Sequence, residues 1–211
     1  MSTTTQPNLP PPSRCPWPGI QDPIYARYHD EEWGVPQMDS TKLFEKLVLE
    51  GFQSGLSWLT ILKKRDNFRK AFHNFNAERI ARYTDKDVAR LMADAGIIRN
   101  RLKVEATIDN AKAMCAMTRH VSLSDFIWGF IDGQPIINTA QTFNDVPTKT
   151  QLSETISKAL KKEGFRFVGP TTIYAFMQST GMINDHLVSC HRHAACADIQ
   201  RRLPERAANR A

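Results

Sequence analysis

The chain has 211 residues, 41% hydrophobic and 24% charged, enough for one substantial core, and no apolar run approaches the length of a membrane span. Its net charge of +6 points to a polyanionic partner, but the stretch after Gln200 carries +3 and Arg14 carries +1, so residues 15–200 keep only +2. Four cysteines with no apolar export signal fit a reducing cytoplasm better than a disulfide framework, and exclude a small secreted scaffold.

The proline- and threonine-rich residues 1–14 read as a disordered leader. From there the pattern is helical almost throughout. Asp39 or Ser40 caps a helix whose apolar face is Leu43, Phe44, Leu47 and Val48. Gln53-Ser54-Gly55 interrupts it, and helix resumes over 56–64. Asn76 caps 77–83, and Thr84 or Asp85 caps 87–95, which stops at Gly96. A long helix follows over 100–117. Ser124 or Asp125 opens 126–131, and Asp132-Gly133 closes it. Residues 133–150 lack a helical period and read as a long surface loop. An amphipathic helix spans 153–163, and a last one 171–179. No sheet and no internal repeat stand out. The fold class is all-α, one domain over 15–197 with a basic tail at 198–211.

Cys15 and His29 form C-x13-H, and His186 and Cys190 form H-x3-C, a spacing that puts two side chains on one face of a helix. Two thiolates and two imidazoles match tetrahedral Zn²⁺. With 156 residues between the pairs, such an ion would join the two ends of the fold rather than organise a short finger. Core thiols and capping histidines are the other reading, because no compact finger has this spacing. His191, His193 and Cys196 are further candidates, although Cys196 lies six residues past Cys190, on another face of a single helix.

Residues 91–101 read as helix, glycine turn, helix. The N–H groups and dipole of such a turn attract an anion, with Arg99, Arg101 and Lys103 beside it. A helix-hairpin-helix grips a DNA phosphate this way without reading sequence, but a plain helical corner with a capping glycine has the same pattern. Glu50 falls on or beside the apolar face of its helix, where a carboxylate is costly without donors. Trp17, Tyr25, Tyr28, Trp33 and Trp58 lie in the same half of the chain. An acid walled by aromatic rings suits a flat cationic guest. Pattern alone favours a lysine- or arginine-paired acid beside ordinary core.

Six segments shift that balance: R-C-P-W (14–17), Y-H-D-E-E-W-G-V-P (28–36), L-E-G-F-Q-S-G-L-S-W (49–58), D-A-G-I-I-R-N-R (94–101), K-K-E-G-F-R-F-V-G-P-T-T (161–172) and N-D-H-L-V-S-C (184–190). In unbroken order they closely resemble the DNA-3-methyladenine glycosylase I family, across residues 14–193. The resemblance implies an all-α helix-hairpin-helix glycosylase with the hairpin at about 87–117. It also implies a structural zinc held by Cys15, His29, His186 and Cys190, clamping segments 15–38 and 168–193. Glu50 matches the acid that contacts the excised base. Tyr28 and Trp58 match the base pocket, with Trp17 and Trp33 close by. Gly96, Ile97, Ile98, Arg99 and Arg101 fall on the DNA-gripping hairpin; Gly55 and Leu56 sit on the turn proposed to fill the vacated space. The family lacks the catalytic aspartate common among helix-hairpin-helix glycosylases, and Asp125 reads as a helix cap. The expected partner is double-stranded DNA containing 3-methyladenine, acted on by a cytoplasmic monomer without strand cleavage and without a membrane. A zinc hydrolase with an open coordination position and a non-catalytic DNA-binding module are the rivals.

Overall fold

The structure is a computed structural model describing residues 13–203. Most of the expected leader, and residues 204–211 of the expected tail, lie outside the described residues. Ten α-helices and one two-stranded sheet make up the fold among those described, and no helix there is long and apolar enough to cross a membrane.

Local capping chemistry sets most boundaries. Helix α1 (Pro23–Glu31), absent from the sequence reading, starts where Asp22 accepts from Ile24 N–H at 3.0 Å and Pro23 pre-sets the first turn. Helix α2 (Ser40–Gln53) is capped by Asp39, which accepts from Lys42 N–H at 2.9 Å. Its inner face is Leu43, Phe44, Leu47 and Val48, followed by Glu50 and Phe52. Ser57 caps α3 (Trp58–Ala71), which begins later than expected and runs on past Lys64, with Phe68 buried against Phe52 at 4.7 Å between ring centres.

Asn76 caps only a single turn, α4 (Ala77–Ile80), shorter than 77–83. Thr84 and Asp87 satisfy each other's donors at the start of α5 (Asp85–Ala93), and Asn100 caps α6 (Arg101–Met117). Helix α7 (Leu123–Gly129) corrects its prediction: Ser122 is the cap, and Asp125 is the third residue, exchanging hydrogen bonds with it. Helices α8 (Gln151–Lys162), α9 (Pro170–Ser179) and the unpredicted α10 (His191–Arg201) complete the set. Helix α2 is central, packing on α3, α6, α7 and α9.

Two features tie the ends together. Strand β1 (Ile136–Ile137), within the segment read as loop, pairs in parallel with β2 (Ile183–Asn184), Ile136 opposite Ile183. Two-residue strands are too short to show an alternating pattern. Gly181 has φ +72°, and a Cβ there would lie 2.4 Å from Pro36 N, so only glycine lets α9 end against residues 35–36. Gln200 on α10 donates to the carbonyls of Gly34 and Gly181, each at 3.0 Å.

Candidate functional site

The four predicted ligands meet. The ligand atoms of Cys15, His29, His186 and Cys190 lie within 4.8 Å of one another, and all four residues are buried. Bonds of about 2.3 Å to sulfur and 2.05 Å to nitrogen at tetrahedral angles place mixed ligands about 3.6 Å apart. Cys15 Sγ lies 3.6 Å from His186 Nδ1, and Cys190 Sγ lies 3.5 Å from both His186 Nδ1 and His29 Nε2. The outer contacts fix both tautomers. His29 Nδ1–H donates to Asp30 Oδ1 at 2.8 Å, and His186 Nε2–H donates to the Trp33 carbonyl at 3.0 Å, leaving the inward nitrogens unprotonated, His29 Nε2 accepting from Cys15 N–H at 3.3 Å. Asp30 is partly buried, but hydrogen bonds from Arg14 and His29 hold its carboxyl below the ordinary range. A hydrogen bond from the Cys15 thiol, with help from both histidines, pulls the Cys190 thiol far down, which suits a thiolate ligand.

The geometry corrects one expectation. His186 and Cys190 do not share a helix; they flank a turn, and Cys190 caps α10 by accepting from Arg192 N–H at 3.4 Å. The alternative ligands point elsewhere. Cys196 faces Arg192 and Trp33 O, His191 contacts Ser13 O, and His193 contacts Asn138 O. Arg14, read as leader, makes a two-pronged bond with Asp30 at 2.6–2.9 Å.

Beside the cluster opens a cavity of about 490 Å³ lined by Trp17, Tyr25, Tyr28, Trp33, Glu50 and Trp58, so the acid and the four rings that the resemblance brought together share it, with Tyr25 added. The cluster backs its aromatic wall: Trp17 stands edge-on to His29 at 4.8 Å between ring centres, and Trp33 edge-on to His186 at 4.5 Å. Glu50 is 4% exposed, and its Oε2 has no partner, nor does the buried Trp58 Nε1. Burial pushes the Glu50 carboxyl up to about 7, against the pull of Lys46 and a Ser179 hydrogen bond. Burial, and then the Glu50 charge, raise the phenols of Tyr25 and Tyr28, so both remain protonated.

Sequence reasoning missed Gln53, Phe143, Val146, Gln178 and Asp185 in this lining. Gln53 and Asp185 sit inside the quoted motifs and could have been found there. Phe143 and Val146 lie on the segment read as plain loop. Asp185 is buried and accepts from Tyr174 Oη at 2.6 Å, Gln178 Nε2 at 2.8 Å and Asn138 Nδ2 at 2.7 Å.

At the predicted hairpin, between α5 and α6, Ile97 is buried while Arg99 and Arg101 are exposed. Two of its amides are already engaged: Gly96 N–H donates to Asp94 Oδ1 at 2.7 Å, and Ile97 N–H to Asp94 O at 3.4 Å. Lys64 holds the carbonyls of Ala95 and Gly96 at 2.9 and 3.4 Å. Lys103, read as a cation beside the hairpin, is instead buried. It donates to Phe52 O at 2.8 Å and Ser54 O at 2.7 Å, capping the end of α2. Gly55 turns the next residues out with φ +82°, leaving Leu56 42% exposed.

The model of the methyladenine glycosylase family matches residues 17–193. The chain belongs to the methyladenine glycosylase family. It is therefore an enzyme acting on N-glycosyl bonds. It is 54% identical over 179 residues to a DNA-3-methyladenine glycosylase of Haemophilus influenzae, covering 84% of this chain and 96% of the relative. A second relative, DNA-3-methyladenine glycosylase 1 of Escherichia coli K12, is 52% identical over 178 residues, covering 84% and 95%. A crystal structure of a 3-methyladenine DNA glycosylase I superposes with a TM-score of 0.84 at 52% identity, covering 86% of this chain and all of that one. The methyladenine glycosylase match thus spans the ligand cluster, except Cys15, and the cavity acid with its aromatic wall.

Proposed function

We propose that this protein excises 3-methyladenine from alkylated double-stranded DNA, releasing the free base and leaving an abasic site. The observation that carries the reading is the pair of orphaned polar atoms in the aromatic cavity: Glu50 Oε2, an acceptor, and Trp58 Nε1–H, a donor. Buried polar atoms without partners are few, and these two, unlike Arg192 Nε and Gln200 Oε1, belong to residues that line a cavity with room for a guest to supply the missing bonds. An acceptor carboxylate among ring faces fits a flat, electron-poor cation that donates hydrogen bonds.

Methylation at N3 makes the adenine ring positively charged while it is still bonded to the sugar. When the C1′–N9 bond breaks, its electron pair goes to N9 and the base leaves neutral. Water adds to C1′ and gives up a proton. Leaving-group protonation contributes little, so the protein's main task is selection. The lesion is first turned out of the stack. Glu50 then accepts from the base, Tyr28 and Trp58 pack on it, and Trp17 and Trp33 close the wall. An unmodified adenine carries no charge to offset a buried carboxylate and is disfavoured.

Cys15, His29, His186 and Cys190 would hold one zinc ion, whose role is to fix the fold's two ends and the wall that rests on them. Four protein ligands fill a tetrahedral shell, which argues against the open water position of a zinc hydrolase. Ile98, Arg99 and Arg101 would face DNA phosphate at the hairpin with Gly96 and Ile97 shaping it, while Gly55 and Leu56 enter the space left by the base. Excision without strand cleavage is supported by the two lysines nearby, one buried and one half-buried. Lys103 is committed to two carbonyls, and Lys46 does not line the cavity. Incubation with methylated DNA should release free 3-methyladenine, and borohydride should trap no protein–DNA adduct. Release of no base leaves the protein a DNA-binding module; a trapped adduct overturns the simple hydrolytic scheme.

A further inference from the structure

We propose that Lys46 sets the charge of Glu50: its half-buried ammonium, one helical turn before Glu50 on α2 and seated on the rings of Tyr28 and Trp58, holds the cavity carboxyl toward its ionised form for a cationic base. The proposal rests on the functional reading above and assigns a positioning residue to it. Lys46 acts through Glu50 and does not line the cavity.

Residues four apart on a helix are neighbours, and a carboxylate and an ammonium at that spacing attract. Lys46 Nζ stands 4.5 Å from the centre of the Tyr28 ring and 5.7 Å from that of Trp58, and 3.5 Å from Tyr28 Oη. Ring faces and a hydroxyl offset part of the ammonium's lost hydration without neutralising it.

The charged groups around it decide where its charge is used. Glu32, just after α1, lies 3.8 Å from Nζ, but Arg65 of α3 already grips it through two bonds of 2.6 and 2.8 Å. Glu45, on α2, is bonded to Arg69 of α3 at 2.9 Å. Arg65 itself repels Lys46. Glu50 has no guanidinium partner, and one of its oxygens has no partner at all. It faces Ser179 from the end of α9 and the phenols of Tyr25 and Tyr28 from α1. Among the described residues the one ion pair of Lys46 is with Glu32, and Glu50 lies beyond 4.0 Å of Nζ, so Lys46 acts on Glu50 through its field. Of the three carboxylates it attracts, Glu50 alone has no guanidinium partner. Desolvation raises the Glu50 carboxyl, Lys46 and then a Ser179 hydrogen bond pull it back, and it is left at about 7. Desolvation also brings Lys46 down to about 8, so its own charge is lost not far above.

The test compares wild type with Lys46→Met, which keeps the length and loses the charge, and Lys46→Arg, which keeps the charge. Carbon-13 NMR of labelled glutamate reads the Glu50 titration directly, with Glu50→Gln assigning the signal. The midpoint should rise by about one unit or more in Lys46→Met and return toward wild type in Lys46→Arg. Single-turnover kcat/KM on methylated DNA should follow. Its rise with pH moves upward by the same amount, with about a fivefold loss at pH 7 and about a tenfold loss well below it in Lys46→Met. An unmoved Glu50 midpoint in folded Lys46→Met would show that Lys46 only fills space. A moved midpoint with an unmoved kcat/KM profile would show that selection does not use the Glu50 charge. Failure of wild type to release any base would sink the functional reading, while the NMR arm still decides the link between Lys46 and Glu50.

Discussion

The aromatic wall of Trp17, Tyr28 and Trp33 separates two regions of opposite character. On one side, the inward atoms of Cys15, His29, His186 and Cys190 face each other, and both histidines have their outer nitrogens matched. On the other side, Glu50 Oε2 and Trp58 Nε1 are buried and unmatched. Both regions are rich in groups that are costly to bury, and burial alone does not tell them apart. What does is whether the unmatched atom meets open space: Arg192 Nε beside the cluster is also unmatched but lines no cavity, whereas the orphaned atoms of Glu50 and Trp58 belong to residues that do.

The largest effect that can break this contrast lies in the cluster. Structural zinc contributes roughly 10–16 kcal/mol in small finger peptides. Here a full core shares the task, so loss of a ligand is expected to cost several kcal/mol, as for breaking other metal or disulfide ties. Cys15→Ser and His186→Ala should lower the thermal midpoint and lose zinc, while the molecules that stay folded keep most of their activity. Metal analysis finding no zinc in the wild type, or a water completing the shell, would make the four residues ordinary core or a different kind of centre.

Next in size is Glu50→Gln. A charge-assisted hydrogen bond contributes about 1.5–3 kcal/mol, so binding of the methylated base should weaken roughly ten- to hundredfold. Stability should move the other way. The folded-state carboxyl is raised from 4.5 to about 7. Its stabilising contribution is therefore complete below about pH 4.5 and is lost as pH rises through about 7. Glutamine has no such loss, so the variant should gain on wild type across that window, by up to about 3 kcal/mol at pH 7.5. Urea unfolding at pH 4.5 and 7.5 checks the sign. Equal pH dependence in the two proteins would mean that Glu50 is solvated, and the cavity is no different from the surface.

How much of this contrast the sequence could reveal depended on the range of the interactions. The caps Asp39 and Asn76 were legible because a cap bonds within three residues of itself. The helix α1 was not, since PIYARYHDE buries only Tyr28 and His29 and has no apolar stripe. The helix α10 was missed for the same reason, because its buried residues are Cys196, Ala197 and Gln200. The ligand types at His186 and Cys190 were readable, but their spacing fits a turn as well as a helix. That Lys103 serves α2 rather than the hairpin was invisible, because its acceptors lie 49 and 51 residues away. The motifs pointed to the cavity's acid and rings; the loop that brings Phe143 to its mouth had no pattern to read.

Lys103 itself provides a finer probe of whether the cavity is separate from the turn and hairpin beside it. Removing its ammonium leaves the Phe52 and Ser54 carbonyls without their donor, which costs about 1–3 kcal/mol. Lys103→Met should lower stability by that amount in denaturant titration. The turn that displays Leu56 should loosen with it, while affinity for the free methylated base in the intact cavity stays close to wild type. A fall in free-base affinity as large as that in Glu50→Gln would show that cavity and hairpin are one unit, not two.

The smallest effects belong to the hairpin, where neither closed ligands nor orphaned side chains occur. Among the described residues, the amides of Ile98 and Arg99 find no protein acceptor, while those of Gly96 and Ile97 do. A phosphate would therefore sit two residues past the glycine, within reach of Arg99. The Arg101 guanidinium also faces Glu105 at 3.4 Å, an exposed contact that competes only weakly with DNA. Each phosphate contact adds about one unit to the salt dependence of binding and does not discriminate sequence. Arg99→Ala should reduce the slope of log affinity against log salt by about one unit, and Arg101→Ala by the same or less, equally on methylated and unmethylated duplexes. Glu105→Ala should, if anything, strengthen binding by freeing Arg101. Unchanged slopes in both arginine variants would reduce the hairpin to a helical corner and move the DNA-gripping surface elsewhere on the fold.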